Sequence, residues 1–159
     1  TYIASGTLVN DAGYVGRFAQ KERLVFRKWT YKIPGAGSAN AVVRVALYSA
    51  NGLTKLMDDT DSCGAATGVR TTDLGEGNEI TLEPGDYYAF VCLSSGDSGP
   101  TVSMWDTATL DAVNANVPAN EPVVEGSVVV VGGSAPNTID PTAISGAQRS
   151  TLFLRLDKV

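Results

Sequence analysis

The stretch LSSGDSGPT, residues 93–101, contains Gly96-Asp97-Ser98-Gly99-Pro100, the letters of a serine-nucleophile loop. A serine of that kind attacks only when a neighbouring base takes its proton and later returns it to the leaving group, and imidazole is the usual base. The chain has 159 residues and no histidine. A lysine base can substitute, but there is no Ser-x-x-Lys pair, and no lysine lies between Lys55 and Lys158. Ser, Asp and Gly between two β-rich runs read instead as a turn. No catalytic residue is assigned.

Carboxylates are the next candidates. Asp59-x-Asp61-x-Cys63-Gly64 starts like a calcium loop, with oxygen ligands at positions one and three and glycine at six. Position five is a soft thiol, and position twelve is Arg70, a cation where a bidentate glutamate belongs. The group Asp58, Asp59 and Asp61 therefore reads as a solvated acidic turn. Glu79, Glu83 and Asp86 flank a Pro-Gly turn, where carboxylates are commonly just hydrated, and they complete no set of acid, base and nucleophile roles. Cys63 and Cys92 allow one disulfide, although a strand cysteine such as Cys92 reads more readily as a small buried apolar residue. With no histidine and no closely spaced cysteine pair, neither a metal site nor a cofactor is expected.

Composition narrows the partners. Hydrophobic residues make up 43% and charged ones 18%, as in a folded domain, and the net charge is −5. Positive charge gathers only at Lys21, Arg23, Arg27 and Lys28, so the face of cations that nucleic acid needs is missing. No stretch approaches the roughly 20 apolar residues of a membrane-spanning helix, and no membrane insertion is expected. The sequence begins at Thr1, as a processed product or an excised domain would.

The elements that must position any site are strands. Short β-branched and aromatic runs recur, cut by Gly, Asn, Asp and Pro. In RLVFRKWTYKI (23–33), Leu24 and Phe26 share one face, and the apolar set then shifts to Trp29, Tyr31 and Ile33. That change of phase predicts a bulge near Arg27–Lys28. AVVRVALY (41–48) ends in an Asn-Gly hairpin turn, and a short strand at Lys55–Met57 leads into a polar loop. EITL (79–82), DYYAFVCL (86–93), TVSMW (101–105), SVVVV (127–131) and STLFLRL (150–156) follow. DTATLDAVN (106–114) is the one candidate helix, with Asp106 as its cap. The expectation is one domain over residues 1–159, an all-β, jelly-roll-like antiparallel β-sandwich of about eight or nine strands.

Val128, Val129, Val130 and Val131, and the 152–156 run with Phe153 on its second face, are apolar on both sides. Either loops cover them or a second subunit does, since a bare valine edge invites aggregation. The reading favours an oligomer with these five residues at its interface. Tyr48 and Trp105 sit at strand ends beside loops, with Asn51 and Asp106 close by in sequence. Flat rings next to amide and carboxylate groups suit sugar rings, whose C–H faces stack while their hydroxyls bond. Tyr48, Asn51, Trp105 and Asp106 are therefore the expected ligand-binding residues.

AVVRVALYSANG (41–52) followed by ITLEPGDYYAFVCLSSG (80–96) resembles the β-sandwich head domains of bacteriophage tail fibres and tailspikes. The likeness spans roughly residues 24–105, and the enzymatic β-helix of a tailspike has no counterpart here. The resemblance implies a homotrimeric, non-enzymatic virion domain that contacts other virion proteins and recognises a host-surface glycan or protein. It transfers no individual site residue. Two other readings share the sandwich: a capsid decoration protein, and a carbohydrate-binding module of a cell-wall enzyme.

Overall fold

Runs of alternating β-branched and aromatic residues build the central strands of the computed structural model, which describes residues 3–105, 125–129, 132–140, 144, 152 and 154–159. The strands are β1 (Ile3–Thr7), β2 (Ala12–Gln20), β3 (Leu24–Ile33), β4 (Val42–Ser49), β5 (Lys55–Asp61), β6 (Gly68–Asp73), β7 (Ile80–Leu82), β8 (Gly85–Ser95), β9 (Thr101–Trp105), β10 (Glu125–Val129) and β11 (Arg155–Lys158). β1 and β2 precede the first expected run. β5 is longer than expected, and β6 lies where a polar loop was expected. The expected helix at 106–114 lies outside the described residues.

One antiparallel sheet runs β10-β2-β8-β4-β5, and a second runs β11-β3-β6 with β7 also paired to β3. They pack face to face. Tyr14, Val43, Val45, Leu47, Ala89, Val91 and Leu93 from the first meet Phe26, Trp29, Tyr31 and Ile33 of β3, all buried. Full burial of each large apolar side chain contributes about 1.5–3 kcal/mol, so this layer dominates the energetics. The fold is an all-β sandwich.

The predicted bulge is present. On β3, Asp157 of β11 pairs with Lys28 and Lys158 with Phe26, so Arg27 is skipped. The opposite edge changes partner at the same residue, from β7 opposite Leu24–Phe26 to β6 opposite Lys28–Ile33. The Arg27 carbonyl instead accepts from Leu74 N at 2.9 Å. One extra residue thus lets both Phe26 and Trp29 face the core.

The Gly96–Pro100 loop turns a corner. β2 pairs with β8 from Gly13↔Cys92 to Gln20↔Gly85, and β1 pairs with β9 from Thr7↔Thr101 to Ile3↔Trp105. Both chains leave the five-stranded sheet together and resume pairing as a separate two-stranded sheet. At the corner Leu8 N donates to Pro100 O at 3.0 Å, and a Cβ on Gly99 would lie 2.1 Å from the Leu8 carbonyl oxygen. Ser98 works through its backbone: its carbonyl accepts from Ser38 N and Ser38 Oγ, each at 3.0 Å, and its N–H donates to Ser38 Oγ at 3.2 Å. The letters of a nucleophile loop here lock two loops together.

The outer face of the five-stranded sheet is apolar too. Val15, Ala46, Tyr48, Tyr88, Phe90 and Cys92 point away from the second sheet and are covered by Ala135, Ile139 and Ile144. Of the two ways to cover a doubly apolar strand, β4 and β8 therefore use a segment of their own chain. Leu152 is buried, and Leu154 and Leu156 pack against the inter-sheet core. The final strand starts later than expected, at Arg155.

Gly99→Ala should lower stability by about 1–3 kcal/mol or more, because the new methyl meets backbone rather than a yielding side chain. Ser98→Ala should stay within about 0.5 kcal/mol of wild type. Urea unfolding of both variants checks the pair.

Candidate functional site

Acidic and aromatic residues meet along one open side of the sandwich. β5 forms an edge of its sheet, and β6 forms the facing edge of the other. On β5, Asp59 and Asp61 are two apart and so share a face, as Trp29 and Tyr31 do on β3. The Trp29 indole N–H donates to Asp59 Oδ2 at 2.7 Å, and the Tyr31 hydroxyl donates to Asp61 Oδ2 at 2.8 Å. Arg70 on β6, registered opposite Tyr31, grips both Asp61 oxygens at 2.8 and 2.6 Å. The two rings stack with centroids 5.3 Å apart.

Asp58 points the other way. It accepts from Arg44 Nη1 at 2.7 Å and Lys55 Nζ at 2.8 Å. The acidic turn expected at Asp58, Asp59 and Asp61 is therefore corrected to a strand, and each carboxylate has a protein donor. Beside it a cleft of about 330 Å³ opens, lined in part by Leu56, Asp59, Asp73, Asn78 and Ile80. Among the described residues, no group of three or more His, Cys, Asp or Glu is placed to hold a metal ion.

The partners of Asp61 fix its charge. Burial pushes the Asp61 carboxyl up, but hydrogen bonds from Arg70 and Tyr31 outweigh it and hold the group below the usual carboxylate value. Such a group stays ionised and cannot serve as a general acid near neutrality. Burial, reinforced by the Asp61 charge, raises the Tyr31 phenol. Burial also raises the Cys63 thiol and pushes Cys92 up to about 12. Both cysteines are thus neutral thiols, poor nucleophiles at physiological pH. They are free, and they belong to core layers on opposite faces of the five-stranded sheet.

Of the four expected ligand residues, the structure describes Tyr48, Asn51 and the backbone of Trp105. Tyr48 is corrected from a surface aromatic to a core one: its ring is fully buried, lies edge-on to Phe90 at 6.5 Å, and its hydroxyl donates to Pro136 O at 2.6 Å. Asn51 is exposed in the hairpin turn, where its Oδ1 accepts from Leu53 N at 3.0 Å and Ser49 Oγ at 2.6 Å. Trp105 ends β9 in register with Ile3. Val128 and Val129 belong to β10, paired with Gly13 and Ala12, at the edge of the five-stranded sheet. Asp106, Val130, Val131 and Phe153 lie outside the described residues.

Sequence reasoning missed Arg70 and the Trp29–Asp59 bond. The available signal was the matching two-residue spacing of Trp29/Tyr31 and Asp59/Asp61, which requires β5 to be a strand. No protein-family model matches the chain, and no curated protein matches its sequence.

Charge-assisted hydrogen bonds contribute about 1.5–3 kcal/mol each, whereas an exposed pair such as Arg23–Glu83 contributes about 0–1 kcal/mol. Asp61→Asn should therefore cost about 1.5–3 kcal/mol at pH 7. Because the folded-state value of Asp61 is depressed, its contribution is present above the ordinary carboxylate value and lost as pH falls below about 4. The variant should accordingly lose less stability than wild type between about pH 5 and pH 2. Urea midpoints measured across that range give the comparison.

Proposed function

We propose that the chain is a non-enzymatic virion domain, the receptor-binding or trimerising head of a phage tail fibre, with a jelly-roll-like sandwich that assembles as a homotrimer. The observation that carries the reading is where the two stretches behind the resemblance lie. Residues 41–52 form β4 and its hairpin turn, and residues 80–96 form β7 and β8. β4 and β8 are paired neighbours inside the five-stranded sheet, from Val42↔Ser95 to Ser49↔Tyr87. The two stretches thus meet as the paired strands β4 and β8, while β7 lies in the other sheet beside β3.

The chemistry of the open side supports a role in presenting a surface. Asp58, Asp59 and Asp61 serve as acceptors that join strands, and Ser98 serves as a corner. In this proposal the host-surface glycan or protein is met by Asn51, Trp105 and Asp106. Val128 to Val131 and Phe153 lie between copies, and Tyr48 is withdrawn from the ligand set.

Sedimentation or light scattering at micromolar concentration should return three times the chain mass of 16.6 kDa. The protein should then bind host cells or their isolated surface glycan. A clean monomer removes the fibre-head reading. A trimer that binds no host surface points to capsid decoration.

A further inference from the structure

Asp59 is the one β5 aspartate that no cation matches among the described residues. Asp58 is paired with Arg44 at 2.7 Å and Lys55 at 2.8 Å, and Asp61 with Arg70 at 2.6 Å. Across the cleft, Asp73 is paired with Arg27 at 2.9 Å and Lys28 at 3.6 Å. Asp59 receives only the neutral Trp29 indole N–H, on Oδ2, which leaves Oδ1 without a donor among the described residues. Asn78 adds a second open acceptor. Its Nδ2 donates to Leu74 O at 2.9 Å, which sets the orientation of the amide, and its Oδ1 has no donor among the described residues.

The lining of the cleft says where on the strand it lies. Leu56, Met57, Asp58 and Asp59 all border it, and they are consecutive on β5. Successive strand residues point to opposite faces, so four in a row border one cleft only along the edge of the strand. β4 pairs with one edge of β5, and no described strand pairs with the other. The cleft of about 330 Å³ is therefore the free edge of β5, bounded from the facing sheet by Leu74, Asn78 and Ile80. An unpaired edge is a template for one more strand.

Charge selects the occupant. A second β5 fits poorly, because it would set Asp58, Asp59 and Asp61 against their own kind. A Lys or Arg side chain brings donors only, which the open acceptors lack, and its alkyl stem suits the half-buried Leu56, Leu74 and Ile80. We propose that the free edge of β5 docks an extended segment of a partner protein, which pairs as an added strand and places a Lys or Arg side chain on Asp59. Such docking is independent of the tail-fibre reading and uses neither Asn51 nor Trp105 nor Asp106.

The full chain, isotope-labelled, is titrated with the capped peptide Thr-Val-Thr-Arg-Thr-Val-Thr and with the same peptide carrying citrulline, an uncharged shape match, in place of arginine. Amide NMR shifts should cluster on Lys55–Asp61 and on the Trp29 indole N–H, and the arginine peptide should bind about tenfold tighter or more. Asp59→Asn keeps an oxygen for the indole and should bring the two peptides within about twofold of each other. Raising salt from about 0.05 to about 0.5 M should shrink the same preference in the wild-type chain, a reading that needs no variant. Docking at β5 is overturned if neither peptide binds at about millimolar concentration, if the shifts fall on another edge, or if the arginine preference is absent or survives in Asp59→Asn. Butylguanidinium binding as tightly as the peptide would leave a bare cation site and overturn the added strand. Self-association that Asp59→Asn abolishes would make the occupant a second copy and overturn the partner segment.

Discussion

The central strands β4 and β8 carry apolar side chains on both faces, and water must be kept from each. Val43, Val45, Leu47, Ala89, Val91 and Leu93 face the second sheet, while Ala46, Tyr48, Tyr88, Phe90 and Cys92 face outward. Two apolar faces need two covers, because a half-covered sheet would leave large aromatic rings in water. One cover is the sheet built on β3, and the other is the segment holding Ala135, Ile139 and Ile144. The remaining architecture follows from holding these three layers together.

The sheet-to-sheet join is apolar in the middle and polar at the open side. Trp29 and Tyr31 fill the core with their rings and send one polar atom each to the edge, where Asp59 and Asp61 accept it. A buried indole or phenol needs such a partner. Arg70 then neutralises Asp61 from the opposite sheet, so the two edge strands are tied by charge as well as by shape. The carboxylates that invite a catalytic reading are the cost of burying two amphipathic rings near an edge.

Close backbone approach accounts for the loops. Gly99 lies against Leu8 and Gly52 against Ile139, each at a place where a side chain would strike a carbonyl. The first contact lets one strand pair leave the five-stranded sheet, and the second seats the outer cover. Both depend on partners distant in the chain. Neither glycine could be told from an ordinary turn residue by its neighbours in sequence.

Local patterns were enough for what depends on local chemistry. Strand type, the bulge at Arg27, the turns at Asn51-Gly52 and Pro84-Gly85, and the absence of a base for Ser98 are all legible along the chain. Only the start of β5 was legible, as the short strand at Lys55–Met57, and β6 was not, because the rest of KLMDDTD and all of GVRTTD lack apolar alternation. Their inward positions carry Asp59, Asp61 and Arg70, which are half-buried and satisfied by partners on the facing sheet. Tyr48 was misplaced for the converse reason: a ring beside a polar turn looks exposed until Ala135, Pro136, Ile139 and Ile144 are placed over it. Sequence alone determined the alternation and the chemistry each residue can offer. Tertiary structure alone decided which polar groups are partnered and which faces are covered, since both depend on contacts between residues as far apart as Tyr48 and Pro136.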